Sequence, residues 1–94
     1  MELVEIREQI DLLDNDIINL LSKRAVLVSA AGKLKKDEKG VRDPKRVEQI
    51  IEKVRANAAS AGLDPIIAEE IYRTIIGCFI RAEMKELTNK PLFP

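Results

Sequence analysis

The chain has 94 residues, of which 46% are hydrophobic and only 3% aromatic, so it predicts one small domain with an aliphatic core. Sixteen basic and sixteen acidic residues give a net charge of zero, which disfavours partners such as nucleic acid or an anionic membrane. The chain has no His and a single Cys, Cys78, which excludes His-mediated catalysis, an internal disulfide and most metal sites. The N-terminus lacks a signal-peptide pattern and no apolar run is long enough to span a membrane, so we expect a cytoplasmic protein.

The first predicted element is a long amphipathic helix that begins near Glu2 and runs to Lys35 or Lys36. Its apolar positions recur every three or four residues as a heptad-like stripe, which Arg24 interrupts. The stripe consists of Ile6, Ile10, Leu13, Ile17, Leu20, Leu27, Ala31 and Leu34. About 34 helical residues would span about 50 Å, whereas a compact domain of this size is roughly 30 Å across. We therefore expect a homodimer in which each copy covers the half that its twin leaves exposed; the alternative is that Gly32 splits the segment into two packed helices.

A charged segment separates the first helix from the second. Its sequence, KDEKGVR over residues 36–42, predicts an exposed, mobile loop because charges surround a glycine. Asp43 and Pro44 then have the N-cap and first-turn preferences that begin a helix, and Gly62 is suited to end it.

A second Asp-Pro pair, Asp64 and Pro65, begins a third helix with a broad apolar surface. Residues Asn89 to Pro94 contain two prolines and predict a tail. Together these signals predict an all-α fold with three helices per protomer, of which the first is long, in an intertwined homodimeric helical bundle. We expect residues 1–94 to form a single domain.

Function is most visible where polar side chains fall on apolar faces. Arg24 interrupts the first stripe, and Lys35, eleven residues later, falls within about 20° of the same face. Glu83 occupies a core-facing position of the third helix, where an unpaired carboxylate is unfavourable. Arg46 lies in the first turn of the second helix, beside the apolar Val47. Three cations and one carboxyl that converge on an apolar interior indicate a site for a small dianion, with no metal, other cofactor or nucleophile required.

Purely structural roles are the alternative explanation of the same four residues. Arg24 and Glu83 would form a buried ion pair that fixes the register of the helices. Lys35 would be a solvated lysine at a helix end, and Arg46 would pair with polar neighbours at the surface. Taken together, the four residues favour a polar ligand over these separate explanations.

The order and spacing of these motifs resemble those of the all-helical chorismate mutases. The stretch IREQIDLLDNDIINLLSKRAVLVSAAGKLK is similar to the first helix of that family, VRDPKRVEQII to the start of its second and GLDPIIAEEIYRTII to its third. The resemblance covers roughly residues 3–87. It implies an intertwined homodimer with two identical shared active sites. It also implies an isomerase of the shikimate pathway and of aromatic amino acid biosynthesis, which converts chorismate to prephenate by a Claisen rearrangement without a covalent intermediate.

The resemblance implies a role for each matching residue near the substrate's ether oxygen and carboxylates. Arg24 would bind one carboxylate, and Arg7, contributed by the partner subunit, would bind the other. Lys35 would hydrogen-bond the ether oxygen and a carboxylate. Glu83 falls where many members have a Gln that is the second donor to the ether oxygen.

The ring end of the site departs from the family pattern. By the resemblance, Asp43 would contribute near the ring hydroxyl and Arg46 would support the ring end. Val47 falls where many mutases have a Glu that binds the hydroxyl, and Phe79 falls where some have a small Ser near a carboxylate. An apolar residue at the first position with an aromatic residue at the second is similar to the isochorismate-pyruvate lyases, which share this fold.

These observations predict an enzyme that acts on a small dicarboxylate without a cofactor. A chorismate mutase is the leading interpretation. An isochorismate-pyruvate lyase, or a mutase of an amino analogue of chorismate, is the alternative within the same fold. A non-catalytic helical dimer or adaptor is the alternative outside enzymes. The resemblance also leaves room for a partner enzyme of the shikimate pathway that activates the domain.

Overall fold

The computed structural model describes residues 1–88, and every regular element within them is a helix. The elements are α1 (Leu3–Gly32), α2 (Glu38–Arg42), α3 (Pro44–Ala61) and α4 (Pro65–Thr88). The all-α prediction with three long helices is confirmed, and α2 is a short fourth helix that the sequence pattern did not predict. The tail predicted for Asn89 to Pro94 lies outside the described residues.

The first helix ends earlier than predicted. α1 has 30 residues and ends at Gly32, and the next residues form a tight turn in which the Lys35 N–H donates to the Gly32 carbonyl at 3.1 Å. Lys35 therefore lies beyond the helix, and the prediction that it shares a helical face with Arg24 is wrong. The alternative of two packed halves split at Gly32 is not seen either, because α1 is continuous up to that residue.

The segment predicted as an exposed loop contains α2. Asp37 caps this helix, since its Oδ1 accepts from the Gly40 N–H at 2.8 Å. Arg42 donates from Nε to Glu38 Oε1 at 2.8 Å. Val41 is only 4% exposed, and α2 packs against α4. The loop prediction failed because the burial of Val41 alone anchors this segment. A single apolar residue among so many charged ones is too weak a pattern to predict a packed helix.

Both Asp-Pro starts are confirmed. Asp43 Oδ1 accepts from the Arg46 N–H at 3.2 Å, and Asp64 Oδ1 accepts from the Ile66 N–H at 2.9 Å. α3 ends at Gly62, whose φ of 80° lies in the left-handed region that glycine adopts easily. Asp43 also has a positive φ of 30°, and this one residue ends α2 and begins α3.

α3 and α4 form the best-covered part of the protein. The three-residue connection between them makes the two helices antiparallel neighbours. Ile51 and Ala58 of α3 are buried, as are Ala68 and Ile76 of α4. The small residues let the helices approach closely, and the larger ones fill the space between them.

A chain of ion pairs ties the outer faces of α3 and α4 together. Arg73 contacts Glu48 at 3.2 Å and Glu69 at 2.8 Å, and Arg55 contacts Glu69 at 2.7 Å. Hydrogen bonds from Arg73 and from Arg55 lower the pKa of the Glu69 carboxyl below its ordinary value. The hydrogen bonds that Arg73 donates to Glu48 and then to Glu69 raise the pKa of Arg73.

The N-terminal half of α1 has no cover from its own chain. Every residue from 1 to 20 is exposed, including Leu13 in the apolar stripe at 61%. The molecule is 60 Å long with a radius of gyration of 16.7 Å, compared with about 12 Å for a compact chain of this length. Among the described helices, none combines the length and the apolar character that a membrane span requires. The homodimer that would cover this face stays a prediction.

Candidate active site

A cavity of about 300 Å³ lies between the C-terminal half of α1, α2, the start of α3 and the second half of α4. Its volume is at the lower end of the range typical of small-molecule sites. Its charged lining consists of Arg24, Lys35, Arg42, Asp43, Arg46 and Glu83. Its apolar lining includes Val28, Ala31, Val47, Ile50, Phe79 and Ile80. Seven of the eight site residues predicted from the sequence therefore line one cavity, and Arg7 does not.

Lys35 and Glu83 form an ion pair in the wall of this cavity. Lys35 Nζ donates to Glu83 Oε2 at 3.1 Å, and Glu83 is only 7% exposed. A carboxylate buried to this degree requires a partner, and here the partner is Lys35. The interpretations of Arg24 with Glu83 as an ion pair and of Lys35 as a solvated lysine are both wrong.

Gly32 leaves room for the Glu83 carboxyl of this pair. A Cβ atom at position 32 would lie 3.2 Å from Glu83 Oε2, closer than ordinary van der Waals contact. The missing side chain therefore lets the carboxyl of α4 rest against the last turn of α1. Lys35 follows on the turn after this helix end, which brings its amine to the same carboxyl.

Arg24 has a hydrogen-bond donor without an acceptor. Its guanidinium carbon lies 4.8 Å from the centroid of the Phe79 ring, a distance typical of cation–π contacts. Its Nη1 is buried, and no atom within residues 1–88 accepts a hydrogen bond from it. A buried donor of this kind is unfavourable unless something else satisfies it. An anion in the cavity would supply the missing acceptor.

The start of α3 places Asp43, Arg46 and Val47 on the cavity. The Asp43 carboxylate is engaged as the N-cap of α3 through the Arg46 N–H. The Arg46 side chain forms no ion pair within the described part of the chain, and the neighbouring Glu48 binds Arg73 instead. The surface pairing considered for Arg46 is therefore not seen, and Arg46 lines the cavity.

Arg42 is a lining residue that the sequence analysis did not single out. It directly precedes the capping Asp43, and this position was the signal that could have identified it. With Arg42 included, four cationic and two carboxylate side chains line the cavity, so two positive charges are in excess. That excess matches the charge of a dicarboxylate.

Arg7 lies outside this cavity. It is exposed on the N-terminal half of α1, seventeen positions before Arg24, which corresponds to about 25 Å along the helix axis. It cannot reach the cavity of its own chain from there. Its predicted contribution to the site of a partner subunit stays a prediction.

Comparison with known proteins gives matches along most of the chain. The model of the family described as chorismate mutase type II matches residues 6–84. The chain is 34% identical over 83 residues to a Pseudomonas aeruginosa protein named isochorismate pyruvate lyase, covering 88% of this chain and 82% of that relative. It is 38% identical over 88 residues to an Aquifex aeolicus protein named bifunctional chorismate mutase/prephenate dehydratase, covering 89% of this chain. The match covers 24% of the Aquifex protein's length.

Proposed function

The chain belongs to the chorismate mutase type II family, as its motifs predicted, and we propose that it catalyses the Claisen rearrangement of chorismate to prephenate. The observation that carries this proposal is the excess of two positive charges around a cavity whose remaining walls are apolar. Chorismate is a small ring with two carboxylates. The cations would hold the carboxylates while the apolar walls contact the ring.

The reaction requires positioning and charge stabilisation rather than chemical groups from the protein. One C–O bond breaks and one C–C bond forms within the same molecule, so no proton or electron has to be supplied. The ether oxygen gains negative charge as its bond breaks. A site that holds the folded conformer and directs donors at that oxygen therefore accelerates the reaction.

We assign these tasks to the residues that meet in the cavity. Arg24, with its unsatisfied buried N–H, would bind one carboxylate. Lys35 Nζ would donate to the ether oxygen, held for this purpose by Glu83. As a carboxylate Glu83 only accepts hydrogen bonds, whereas as a carboxylic acid it would be a second donor to the ether oxygen.

The remaining assignments concern the ring end and the second carboxylate. Asp43 and Arg46 would contact the ring end from the start of α3. Arg7 would come from a partner subunit in a homodimer and bind the second carboxylate. The uncovered N-terminal half of α1, on which Arg7 lies, supports such a shared site.

A second candidate function is an isochorismate-pyruvate lyase. Val47 and Phe79 line the cavity at the two positions where the sequence departs from many mutases, and the Pseudomonas relative carries that name. Isochorismate has the same two carboxylates as chorismate but a different ring position for its hydroxyl. An apolar Val47 suits a substrate whose hydroxyl lies elsewhere.

One assay separates these functions. Purified protein would be incubated with chorismate and, separately, with isochorismate, and the products measured by absorbance and fluorescence. Prephenate from chorismate supports the mutase, and salicylate with pyruvate from isochorismate supports the lyase. Arg24→Ala should lose the activity, whereas Arg55→Ala, which removes an exposed cation that does not line the cavity, should keep it. Turnover of neither substrate would leave the non-catalytic dimer as the better interpretation.

A further inference from the structure

Arg42 lines the cavity, and its charge contributes to the positive excess, but none of the individual substrate contacts assigned to the lining residues involves it. It is the last residue of α2, between the buried Val41 and the capping Asp43. These two neighbours fix the backbone of Arg42 beside the cavity. Its side chain remains 55% exposed, so the guanidinium can reorient without moving the helix.

The present partner of Arg42 holds it weakly. Its Nε donates to Glu38 Oε1 at 2.8 Å, one turn earlier on α2, and Glu38 is also exposed. Ion pairs of this kind between exposed residues four apart contribute little to stability. Within residues 1–88, no acceptor engages the two terminal nitrogens of the guanidinium. Arg42 therefore keeps most of its donors available to another anion.

The charge of the site favours an anion. Within one chain the cavity lining, with Arg42, has four cations and two carboxylates, and Arg7 of a partner subunit would add a further cation. A guanidinium can also bind a carboxylate with two parallel hydrogen bonds, which an ammonium cannot do.

We propose that Arg42 is a substrate-binding residue that exchanges Glu38 for a carboxylate of the substrate. Glu38 then competes with the substrate for Arg42, so the pair tunes affinity for dianions. This inference rests on the proposed function only in taking a dicarboxylate as the ligand. It applies equally to chorismate and to isochorismate.

The test is a comparison of four proteins: the wild type, Arg42→Gln, Glu38→Gln and the double variant. Calorimetric titration with prephenate, itself a dicarboxylate, gives Kd, and steady-state kinetics give kcat and KM. Arg42→Gln should raise Kd and KM about tenfold, the usual consequence of losing a charged hydrogen bond, with kcat nearly unchanged. Glu38→Gln should lower both, because the competitor is gone.

The double variant tests whether Glu38 changes Kd only through Arg42. If Glu38 acts only through Arg42, Glu38→Gln should have no effect on Kd once Arg42 is Gln. Arg55→Gln, which also removes an exposed Arg from an ion pair but at a position that does not line the cavity, should bind prephenate like the wild type. Circular dichroism melting would check that all five proteins fold.

Several results would overturn the assignment. An unchanged Kd in Arg42→Gln, or no binding of prephenate by the wild type, excludes Arg42 as a ligand for this dianion. Weaker binding in both single variants would mean that the ion pair only holds α2 in place. If the wild type converts neither chorismate nor isochorismate but the titrations follow the expected signs, the proposed reaction fails while the anion-binding role of Arg42 stands.

Discussion

The two halves of α1 carry one continuous apolar stripe but lie in different surroundings. From Leu21 onward several residues are half-buried, and Arg24 and Val28 border the cavity that α3 and α4 complete. From residue 3 to residue 20 every side chain is exposed. Helical periodicity therefore predicts that the apolar face of α1 is buried against another surface, but it does not identify the chain that provides that surface.

The difference between the halves links assembly to function. The covered half contributes Arg24 to the cavity, where the rest of the same chain adds Lys35, Arg42 and Arg46. The uncovered half holds Arg7, which its own cavity cannot use. If a second copy covers this half, the exposed stripe and the distant arginine have a single explanation.

The largest effect is expected from a charge in the uncovered half. At low micromolar concentration the wild type should sediment at about twice its chain mass of 10.6 kDa. Leu13→Glu should abolish this assembly, and with it most helicity and activity, because the carboxylate would be desolvated in the interface. Val26→Glu, at a 68% exposed position off the stripe of the same helix, should assemble normally. A folded, active monomer of either protein would refute the dimer and the role of Arg7.

The next effect concerns the cavity that the covered half borders, where Lys35→Ala should lower kcat by roughly two to four powers of ten, or about 3 to 5 kcal/mol. It should also lower the free energy of unfolding by about 1 to 3 kcal/mol, because Glu83 loses its partner. The double variant Lys35→Ala with Glu83→Gln should recover stability, since the buried charge is gone, but not kcat. Recovery of kcat in the double variant would show that Lys35 acts only by neutralising Glu83.

Complementation joins the two halves in one experiment. Arg7→Ala and Arg24→Ala should each be nearly inactive as homodimers. After unfolding and refolding an equal mixture, about half of the dimers are mixed and each has one intact site, so about one quarter of wild-type activity should return. A mixture that stays inactive would mean that both arginines serve the site of one chain, or that Arg7 has a structural role.

A smaller effect is expected where α1 meets α4. Gly32→Ala should displace the Glu83 carboxyl by a few tenths of an ångström and lower kcat several-fold. The free energy of unfolding should not fall along with kcat, because Ala has a higher helix propensity than Gly. Gly77→Ala is the matched control, since its Cβ would meet Nη1 of Arg81 at an ordinary 3.6 Å. Equal kinetics for the two variants would exclude a positioning role for Gly32.

The smallest effect belongs to the ion pairs between α3 and α4. The pKa of Glu69 is lowered in the folded protein, so its contribution to stability is present above its ordinary pKa of 4.5 and is lost as pH falls through the lowered value. The thermal midpoint of Glu69→Gln should therefore lie slightly below that of the wild type at neutral pH and meet it in acid. Glu52→Gln, which removes an exposed carboxylate of α3 that forms no ion pair within residues 1–88, should show no such convergence. A gap between Glu69→Gln and the wild type that is independent of pH would contradict the ionic explanation.

The sequence by itself determined the elements that depend on nearby residues. Asp43 and Asp64 cap their helices through hydrogen bonds two or three positions away, and Gly62 ends α3 through its own φ. Such signals act within one turn, so they can be recognised without the fold. The same holds for the prediction that Arg24 and Glu83 belong to one interior, because each breaks the apolar pattern of its own helix.

Only the tertiary structure decided how the interior groups pair. Lys35 and Glu83 are 48 positions apart, and their contact depends on where α1 ends and on the space above Gly32. The burial of Val41 anchors α2 and thereby brings Arg42 to the cavity. The sequence of residues 36–42 alone did not predict this packing. Periodicity records which face of a helix is apolar, whereas partners across a cavity depend on distances between helices. That is why the sequence pointed to seven of the residues that line the cavity but not to the ion pair between Lys35 and Glu83.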